Sequence, residues 1–137
     1  MSDDNTIRTG RRCVFKLHVH LVFVTKYRKK VFTKAVLDDM KAIFIKICGD
    51  FEAELTEFDG EVDHVHLLVE YPPKVALSKL VNSLKGASSY RLKKLHPQLA
   101  QYYWKGALWS PSYFAGSCGG APIEIVKQYI EQQKTPH

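Results

Sequence analysis

The stretch from Val14 to Val24 reads VFKLHVHLVFV, and its alternating pattern sets the architecture. Every odd position from 15 to 23 is apolar, whereas the even positions include Lys16, His18 and His20. Side chains of a β-strand point alternately to the two faces of a sheet, so a period of two predicts a strand with one buried face. We therefore expect a strand whose histidines lie opposite a helix-covered core.

Further helix and strand patterns follow this stretch. Thr33 is placed to cap a first helix with an apolar stripe, and Gly49 to end it. The pair Asp59-Gly60 predicts a hairpin turn between two strands, because this dipeptide adopts the backbone angles of tight turns. The other expected elements are strands over residues 51–58, 62–70 and 112–115 and helices over residues 78–95 and 122–134.

This order of elements predicts an α+β fold. It matches a split βαβ antiparallel sheet of the ferredoxin-like kind, also found in RNA-recognition folds, with helices on one face. A mobile C-terminal helix is added, and Gly116, Gly119 and Gly120 are its expected joint. A chain of 137 residues fits a single domain, which we expect over residues 13–137 behind a flexible arm at residues 1–12.

Composition restricts the classes of function. Twenty Lys and Arg residues against fourteen Asp and Glu residues give a net charge of +6, which favours a polyanionic partner. No apolar run approaches the roughly 20 residues of a membrane span, and the N-terminal residues are not those of a signal segment. Three widely spaced cysteines predict neither a disulfide framework nor a zinc knuckle. The expected location is the cytoplasm, with no membrane partner.

Two histidines in the third predicted strand are the first candidates for a chemical site. His64 and His66 are two residues apart, so a strand points both imidazoles to one side of the sheet. Such a pair can share a metal ion once a third ligand joins it. His18 and His20 have the same spacing, but the cation of Lys16 on their face opposes a metal and suits phosphate. We expect the metal at His64 and His66, with His20 close to the site.

The last predicted helix offers a further partner for the histidines. Tyr129 and Gln133 lie four residues apart, so they share one face of that helix. That face is distinct from the apolar stripe expected to pack on the sheet. The alternative interpretation of Tyr129 is an amphipathic side chain at the rim of the core. The spacing alone leaves both interpretations open.

Basic and aromatic residues predict contacts with a nucleic acid. Cationic side chains bind phosphates, and aromatic rings stack on unpaired bases. The predicted phosphate contacts are Lys26, Arg28, Lys29, Lys30, Lys85 and Arg91. The candidate stacking rings are Tyr27, Tyr102, Tyr103, Trp104 and Trp109. A solvated helix face and a packed aromatic corner are the alternatives for any one of these residues.

Several motifs together resemble those of the insertion-sequence-200-like (IS200/IS605-type) transposases, the small single-tyrosine members of the HUH nucleases. They are DHVHLL at residues 63–68, LKGASS at 84–89, WSPSYF at 109–114 and KQYIEQQ at 127–133. The resemblance also includes residues 20–32, with Lys26-Tyr27-Arg28, and so spans most of the chain after Val14. The combination is highly specific, although a His-x-His pair alone is not.

The resemblance implies a metal-dependent DNA strand transferase that acts on single-stranded DNA with hairpin ends. It implies that His64 and His66 bind Mg²⁺ or Mn²⁺, that Gln133 completes the protein ligands and that Tyr129 is the nucleophile. Cleavage then forms a 5′-phosphotyrosine and frees a 3′-OH. The resemblance further implies a homodimer in which the tyrosine helix can act on the partner's site.

Two other function classes remain as alternatives. A noncatalytic single-stranded nucleic-acid-binding module explains the charge and the aromatic residues, but not the coincidence of two histidines with Tyr129 and Gln133. A histidine-based phosphoesterase normally needs a further histidine two residues on, where this chain has Leu68.

Overall fold

The computed structural model describes residues 16–103, 107–117 and 123–133. The elements there are β1 (Leu17–Val24), α1 (Lys34–Asp50), β2 (Glu54–Gly60), β3 (His64–Tyr71), α2 (Leu77–Leu95), β4 (Phe114–Ser117) and α3 (Ile123–Gln132), with 3₁₀ turns at Lys26–Arg28 and Pro97–Tyr102. The strands form one antiparallel sheet in the order β2-β3-β1-β4. This order confirms the predicted split βαβ architecture. The predicted arm at residues 1–12 lies outside the described residues.

The main core lies between one face of the sheet and helices α1 and α2. The strands contribute Val19, Leu21, Phe23, Val65, Leu67 and Val69, and the helices contribute Val36, Met40, Phe44, Leu80, Leu84 and Leu92, among others. Each fully buried aliphatic side chain of this size contributes about 1.5–3 kcal/mol. A register shift by one residue would turn these side chains to the other face and the histidines into the core. The apolar pattern therefore decides which face presents the histidines.

The first helix begins where the sequence predicts. The side-chain oxygen of Thr33 accepts a hydrogen bond of 3.2 Å from the Val36 backbone N–H, which satisfies one of the donors left open at a helix start. The helix ends at Asp50, one residue beyond Gly49. The start of α1 thus follows from a local sequence signal. The prediction that Gly49 ends the helix is wrong, because Gly49 lies inside α1 and the positive φ that follows the helix is at Glu52 (59°).

Asp59 and Gly60 do not form the predicted hairpin turn. Both belong to β2 and pair with β3. The turn falls at residues 61–63 and is closed by a backbone hydrogen bond of 2.8 Å. Gly60 serves packing instead, because a Cβ at this position would lie 2.5 Å from Leu37 Cδ2 of α1. The glycine therefore allows the helix to approach the strand closely.

A bulge explains the weak alternation in β2. The register against β3 shifts between Leu55 and Glu57, which leaves Thr56 as the extra residue. The Thr56 hydroxyl donates to the Leu68 carbonyl at 3.0 Å. Because the bulge resets the period of two, Leu55 and Phe58 both pack against the main core although they are three residues apart.

Helix α3 packs on the face of the sheet opposite to α1 and α2. Val126 is buried against Val22 and Val24 of β1, and Tyr129 and Ile130 pack at the margin of this small cluster. Val126 and Ile130 belong to the stripe predicted to face the sheet. The histidine face is therefore partly covered, and α3 stands beside the histidines.

The predicted glycine joint before α3 is only partly described. Gly116 lies within β4 and pairs with His20 of β1, so the expectation that it belongs to a flexible joint is wrong. Gly119 and Gly120 lie outside the described residues. β4 covers residues 114–117 rather than 112–115. The mobility of α3 stays a prediction.

The structure also bears on two predictions from the sequence, one about membrane spans and one about the cysteines. Among the described helices, none combines the length and the apolar character that a membrane span requires. Cys48 is fully buried in the main core, and burial raises the pKa of its thiol to about 11. Since the thiolate is the reactive form of cysteine, Cys48 acts as a small apolar core residue.

Candidate active site

Strand β3 places His64 and His66 together on the face that α1 and α2 leave open. Their ring centroids are 5.1 Å apart and their planes meet at 77°. Both side chains are half-buried, and the residues between and beside them, Val65 and Leu67, point into the main core. The alternating strand therefore presents two neighbouring imidazoles on a rigid element, as predicted.

A buried carboxylate orients the first histidine. Asp63 Oδ1 lies 2.7 Å from His64 Nδ1, and the Asp63 side chain is only 3% exposed. When Nδ1–H donates to a carboxylate, the lone pair of the imidazole is on Nε2, which is the arrangement common in metal-binding histidines. Among the described residues, His64 Nε2 has no protein partner. Sequence reasoning did not assign a role to Asp63, although it stands next to the histidine motif.

Arg28 ties this carboxylate to α3. Its Nε donates to Asp63 Oδ2 at 2.9 Å, and its Nη1 donates to Glu131 Oε2 at 3.0 Å. Tyr27 and Arg28 both adopt positive φ angles, 58° and 55°, which is uncommon for residues with a side chain. Strained backbone of this kind persists where surrounding contacts enforce it. The 3₁₀ turn thus delivers the guanidinium to the buried carboxylate.

The second histidine contacts a histidine of the neighbouring strand. His20 Nε2 lies 3.1 Å from His66 Nδ1, and the two rings are nearly coplanar, with planes 21° apart and centroids 5.3 Å apart. Burial is the main cause that lowers the pKa of both His20 and His66. Both imidazoles are therefore neutral at neutral pH, which is the form that binds a metal. His18, by contrast, is 54% exposed and lies 3.6 Å from Glu70.

A cavity of about 750 Å³ lies between the histidines and α3. Its lining comprises Arg28, Glu61, His64 and His66 on one side and Val126, Lys127, Gln128, Ile130, Glu131 and Gln132 of α3 on the other. The cavity combines cationic, acidic and amide groups with an apolar helix stripe. It is large enough to admit part of a substrate next to the imidazoles.

Tyr129 and Gln133 do not line this cavity. The Tyr129 hydroxyl lies 2.9 Å from Ser112 Oγ, and its ring packs against Phe114 with centroids 6.0 Å apart. The Gln133 side-chain oxygen accepts a hydrogen bond from Ser110 Oγ, and the side chain is buried. Burial raises the pKa of Tyr129. Within one chain, the predicted nucleophile and the predicted third ligand are thus held apart from the histidine pair.

Lys85 organises the segment that holds these two side chains. Its ammonium donates to the carbonyl of Ser110 at 2.7 Å and to that of Ser112 at 3.0 Å. Burial lowers the pKa of Lys85 to about 8. Because its nitrogen is committed to two backbone carbonyls, the structure gives Lys85 a supporting position behind Tyr129 instead of the predicted phosphate contact. The two serines stand in the WSPSYF motif, which was the available sequence signal.

The other predicted phosphate contacts occupy different surfaces. Lys29 and Lys30 are exposed beside the 3₁₀ turn, and Lys26 is half-buried with its nitrogen 5.5 Å from the Tyr27 ring. Arg91 is exposed on α2, which covers the opposite face of the sheet from the histidines. Arg28 is bound to two carboxylates and is only one-fifth exposed. In this arrangement it is therefore not the open phosphate contact that the sequence predicted.

The candidate stacking rings also differ in their surroundings. Trp109 is buried in the main core and donates its Nε1–H to Ser88 Oγ at 3.0 Å, so it has no free face for a base. Tyr103 is half-buried and donates its hydroxyl to the Ser89 carbonyl at 2.6 Å. Tyr102 is 39% exposed. Trp104 lies outside the described residues.

The donor set of the histidine pair fits a divalent metal incompletely. Over the described parts of the chain, no three side chains of His, Cys, Asp or Glu form a metal-binding group. His64 and His66 supply two imidazoles whose Nδ1 atoms are already engaged by neighbours, as is common in metal ligands. The amide predicted to complete the set is bonded to Ser110. Among the described residues, the arrangement therefore brings together two candidate ligands, His64 and His66.

Comparison with known proteins was made against families, curated relatives and solved structures. The family model described as "Transposase IS200 like" matches residues 13–133. The ISDra2 transposase TnpA of Deinococcus radiodurans is 35% identical over 127 residues, which cover 93% of this chain and 91% of the relative. The transposase for insertion sequence element IS200 of Salmonella typhimurium is 30% identical over 137 residues, which cover 98% of this chain and 88% of the relative.

Solved structures share the fold over most of the chain. A crystal structure of a transposase-like protein from Deinococcus radiodurans R1 superimposes with a TM-score of 0.83 at 37% identity, covering 92% of this chain and 97% of that one. A REP-associated tyrosine transposase bound to a REP hairpin has a TM-score of 0.57 at 13% identity, covering 88% and 67%, and shows similarity of fold alone. The family match over residues 13–133, together with relatives of similar length, shows that this chain belongs to the IS200-like transposases.

Proposed function

We propose that this transposase is metal-dependent and that it cleaves and rejoins single-stranded, hairpin-bearing DNA through a 5′-phosphotyrosine on Tyr129. The observation that carries the proposal is the histidine pair. In the described part of the chain, His64 and His66 each have Nδ1 engaged by a neighbour and no protein partner at Nε2, beside a cavity next to the tyrosine helix. Neutral, oriented imidazoles are suited to holding a cation against a phosphate.

The proposed cation is Mg²⁺ or Mn²⁺. His64 and His66 would hold it, and Gln133 is the proposed third ligand. When bound, the cation polarises the scissile phosphate and offsets the charge that grows on its oxygens. Two imidazoles and one amide carry no charge of their own, so they leave the full double charge of the cation available to the phosphate. Asp63 holds His64 in the tautomer that this role requires.

Tyr129 is the proposed nucleophile. Its phenolic oxygen forms a bond to phosphorus, the bond from phosphorus to the 3′ oxygen breaks, the phenol loses its proton and the departing oxygen takes one up. The resulting ester is similar in energy to the diester it replaces, so a free 3′-OH can rejoin DNA without ATP. In the position described, burial raises the pKa of Tyr129, which disfavours the reactive phenolate. The hydrogen bond with Ser112 acts in the opposite direction and lowers this pKa, but burial is the larger of the two effects.

A homodimer that exchanges α3 is the proposed active assembly. Within one chain, Tyr129 and Gln133 lie against Ser112 and Ser110 and not in the histidine cavity. These two serines precede β4, which is the edge strand of the sheet. An edge strand offers unpaired backbone groups to a second copy. Contribution of α3 to the partner's site would bring the missing amide and phenol to a histidine pair.

Single-stranded DNA with hairpin ends is the proposed substrate. The net charge of +6 and the exposed Lys29 and Lys30 favour contacts with phosphates. The fold neighbour described above is bound to a REP hairpin, which supports a hairpin as the DNA form to test. The cavity beside His64 and His66 leaves room for DNA next to the proposed cation.

A covalent adduct is the direct test of this mechanism. The chain is incubated with hairpin-bearing single-stranded DNA, with and without Mn²⁺, and analysed on a denaturing gel. We expect an adduct with wild type and with Tyr90→Phe, an exposed tyrosine of α2, and none with Tyr129→Phe although that variant still binds the hairpin. An adduct that persists in Tyr129→Phe would remove Tyr129 from the proposed role.

A mixture of two inactive variants tests the exchange of α3. Tyr129→Phe keeps the histidines, and His64→Ala keeps the tyrosine. If α3 acts on the partner, a mixed dimer contains one complete site and cleavage returns on mixing. If each chain uses its own tyrosine, no complete site forms and the mixture stays inactive, which would contradict the exchange.

The noncatalytic binding module remains the alternative that this experiment separates. It is favoured only by the finding that Tyr129 contacts Ser112 and does not line the histidine cavity within one chain. Hairpin binding without any Mn²⁺-dependent adduct in wild type would support it. Membership in a transposase family argues against it.

A further inference from the structure

His20 lies in β1, outside the proposed ligand set and outside the tyrosine helix. It nevertheless makes the closest described polar contact to a proposed ligand from another strand, 3.1 Å between its Nε2 and His66 Nδ1. The two rings are nearly coplanar, with planes 21° apart and centroids 5.3 Å apart. On its other side, His20 meets the edge of Phe114 at 6.0 Å. His20 is thus wedged between a proposed metal ligand and β4.

A hydrogen bond between two neutral imidazoles has a direction. Each ring carries one N–H donor and one acceptor nitrogen, so one of the two facing nitrogens holds the proton. If His66 Nδ1 holds it, His66 Nε2 carries a lone pair. If His20 Nε2 holds it, His66 is protonated on Nε2 and cannot bind a cation through that atom. The partner of His66 therefore decides which nitrogen is available.

We propose that His20 is a positioning residue that accepts the Nδ1–H of His66 and thereby keeps His66 Nε2 open for the cation. This inference rests on the proposed function, since it assigns a role toward the same cation. It also explains why the two histidines of β3 need different supports. Asp63 reaches His64 from the preceding turn, whereas the described hydrogen-bond partner of His66 Nδ1 is His20 of β1, although Asp59 of β2 pairs opposite His66 in the sheet.

The nearly coplanar geometry supports a role in orientation. His20 meets the His66 ring edge to edge through the two nitrogens, so the hydrogen bond lies close to the planes of both rings. Loss of such an outer partner typically lowers metal affinity on the order of 10–100-fold. His18 stands on the same strand and face but is more than half exposed, with Glu70 as its described neighbour. It is therefore a matched control.

Three variants separate the hydrogen bond from packing. His20→Phe keeps an aromatic ring between His66 and Phe114 but removes the acceptor. His20→Gln provides an amide oxygen that can accept the Nδ1–H. His18→Phe makes the same chemical change at the exposed control position. Titration of Mn²⁺ into DNA-free protein, followed by electron paramagnetic resonance of the free ion, measures affinity without any cleavage step.

We expect Mn²⁺ affinity to fall on the order of 10-fold or more in His20→Phe and to be largely kept in His20→Gln and His18→Phe. Long-range ¹H–¹⁵N spectra report the tautomer of His66 without metal. Wild type should have the His66 proton on Nδ1, and His20→Phe should shift it toward Nε2. Equal losses in His20→Phe and His20→Gln would overturn the role of the acceptor.

The tautomer measurement keeps the inference separate from the proposed function. A proton on His66 Nε2 in wild type would overturn the inference even if no variant folds. A proton on Nδ1 that depends on His20, in a protein that binds no Mn²⁺, would uphold the positioning of His66 and contradict the metal-dependent mechanism. Mn²⁺ binding with the same affinity in wild type and in His20→Phe would contradict the positioning of His66 by His20 and would leave the metal-dependent mechanism standing.

Discussion

Substitution of Asp63, the buried carboxylate next to the histidine pair, should lower the free energy of unfolding, and the contacts of Asp63 determine by how much. In Asp63→Asn, the side chain keeps its size but loses its charge and one acceptor oxygen. The carboxylate accepts from Arg28 Nε at 2.9 Å and from His64 Nδ1 at 2.7 Å. The new amide N–H₂ must face one of these two nitrogens. Facing Arg28, it loses that hydrogen bond; facing His64, it can donate to Nδ1 only when the imidazole proton moves to Nε2, and in both cases Arg28 loses the charge of its buried partner.

The magnitude follows from the burial of the groups involved. A hydrogen bond to a charged group contributes about 1.5–3 kcal/mol, and leaving a buried charge unpaired costs about 3–5 kcal/mol. Arg28 is one-fifth exposed and keeps Glu131, which reduces the penalty. We expect a loss of about 2–3 kcal/mol in the free energy of unfolding. For a chain of this length, this corresponds to a decrease of Tm by about 7–10 °C.

An exposed ion pair of the same chemistry provides the control. Asp38 pairs with Lys34 on the surface of α1, where the side chains are 65% and 88% exposed. Asp38→Asn should cost less than about 0.5 kcal/mol, because exposed pairs are solvated and contribute little. Thermal and urea unfolding, followed by circular dichroism, measure both variants. If Asp63→Asn unfolds within about 1 °C of Asp38→Asn, the carboxylate does not hold the site together as described.

Two further substitutions test the site and the segment behind Tyr129. His64→Ala should abolish Mn²⁺-dependent cleavage, whereas His18→Ala should not, because His18 is mainly exposed and faces Glu70; the opposite outcome in a cleavage assay would show that the wrong pair was chosen. Burial lowers the pKa of Lys85 to about 8 from 10.5, so the unfolded chain binds more protons than the folded one between these values. The free energy of unfolding of wild type should therefore rise with pH across this window relative to that of Lys85→Met. Urea unfolding at several pH values measures both, and the same pH dependence in the two proteins would refute this prediction.

Local patterns predicted the frame of the molecule well. The alternation in residues 14–24 and the His-x-His spacing depend only on the two-residue period of a strand, so they identified the buried face and the histidine face. The cap at Thr33 is likewise a contact within one helical turn. Asp59-Gly60 misled because the packing of Leu37 against Gly60 outweighed the turn preference of the dipeptide.

The pairing of functional side chains was harder to predict. Arg28 looked like an open phosphate contact because its neighbours in sequence are lysines, yet it reaches Asp63, 35 residues away. Lys85 also looked exposed on a helix pattern, but it turns to two backbone carbonyls. Trp109 entered the core because the main core offered its N–H a partner in Ser88.

Periodicity was sufficient to indicate the sheet and the face that carries the two histidines, since these depend on steric rules that act between near neighbours along the chain. The family was indicated by the resemblance of several motifs to those of a known family. Packing of α3 on β1, and the pairing of His20 with His66 across 46 residues, settled which groups meet. Such contacts depend on the burial of Val126 against Val22 and Val24 and on the register of β1 against β3. No short stretch of sequence contains that information, because it arises only when distant segments exclude water together.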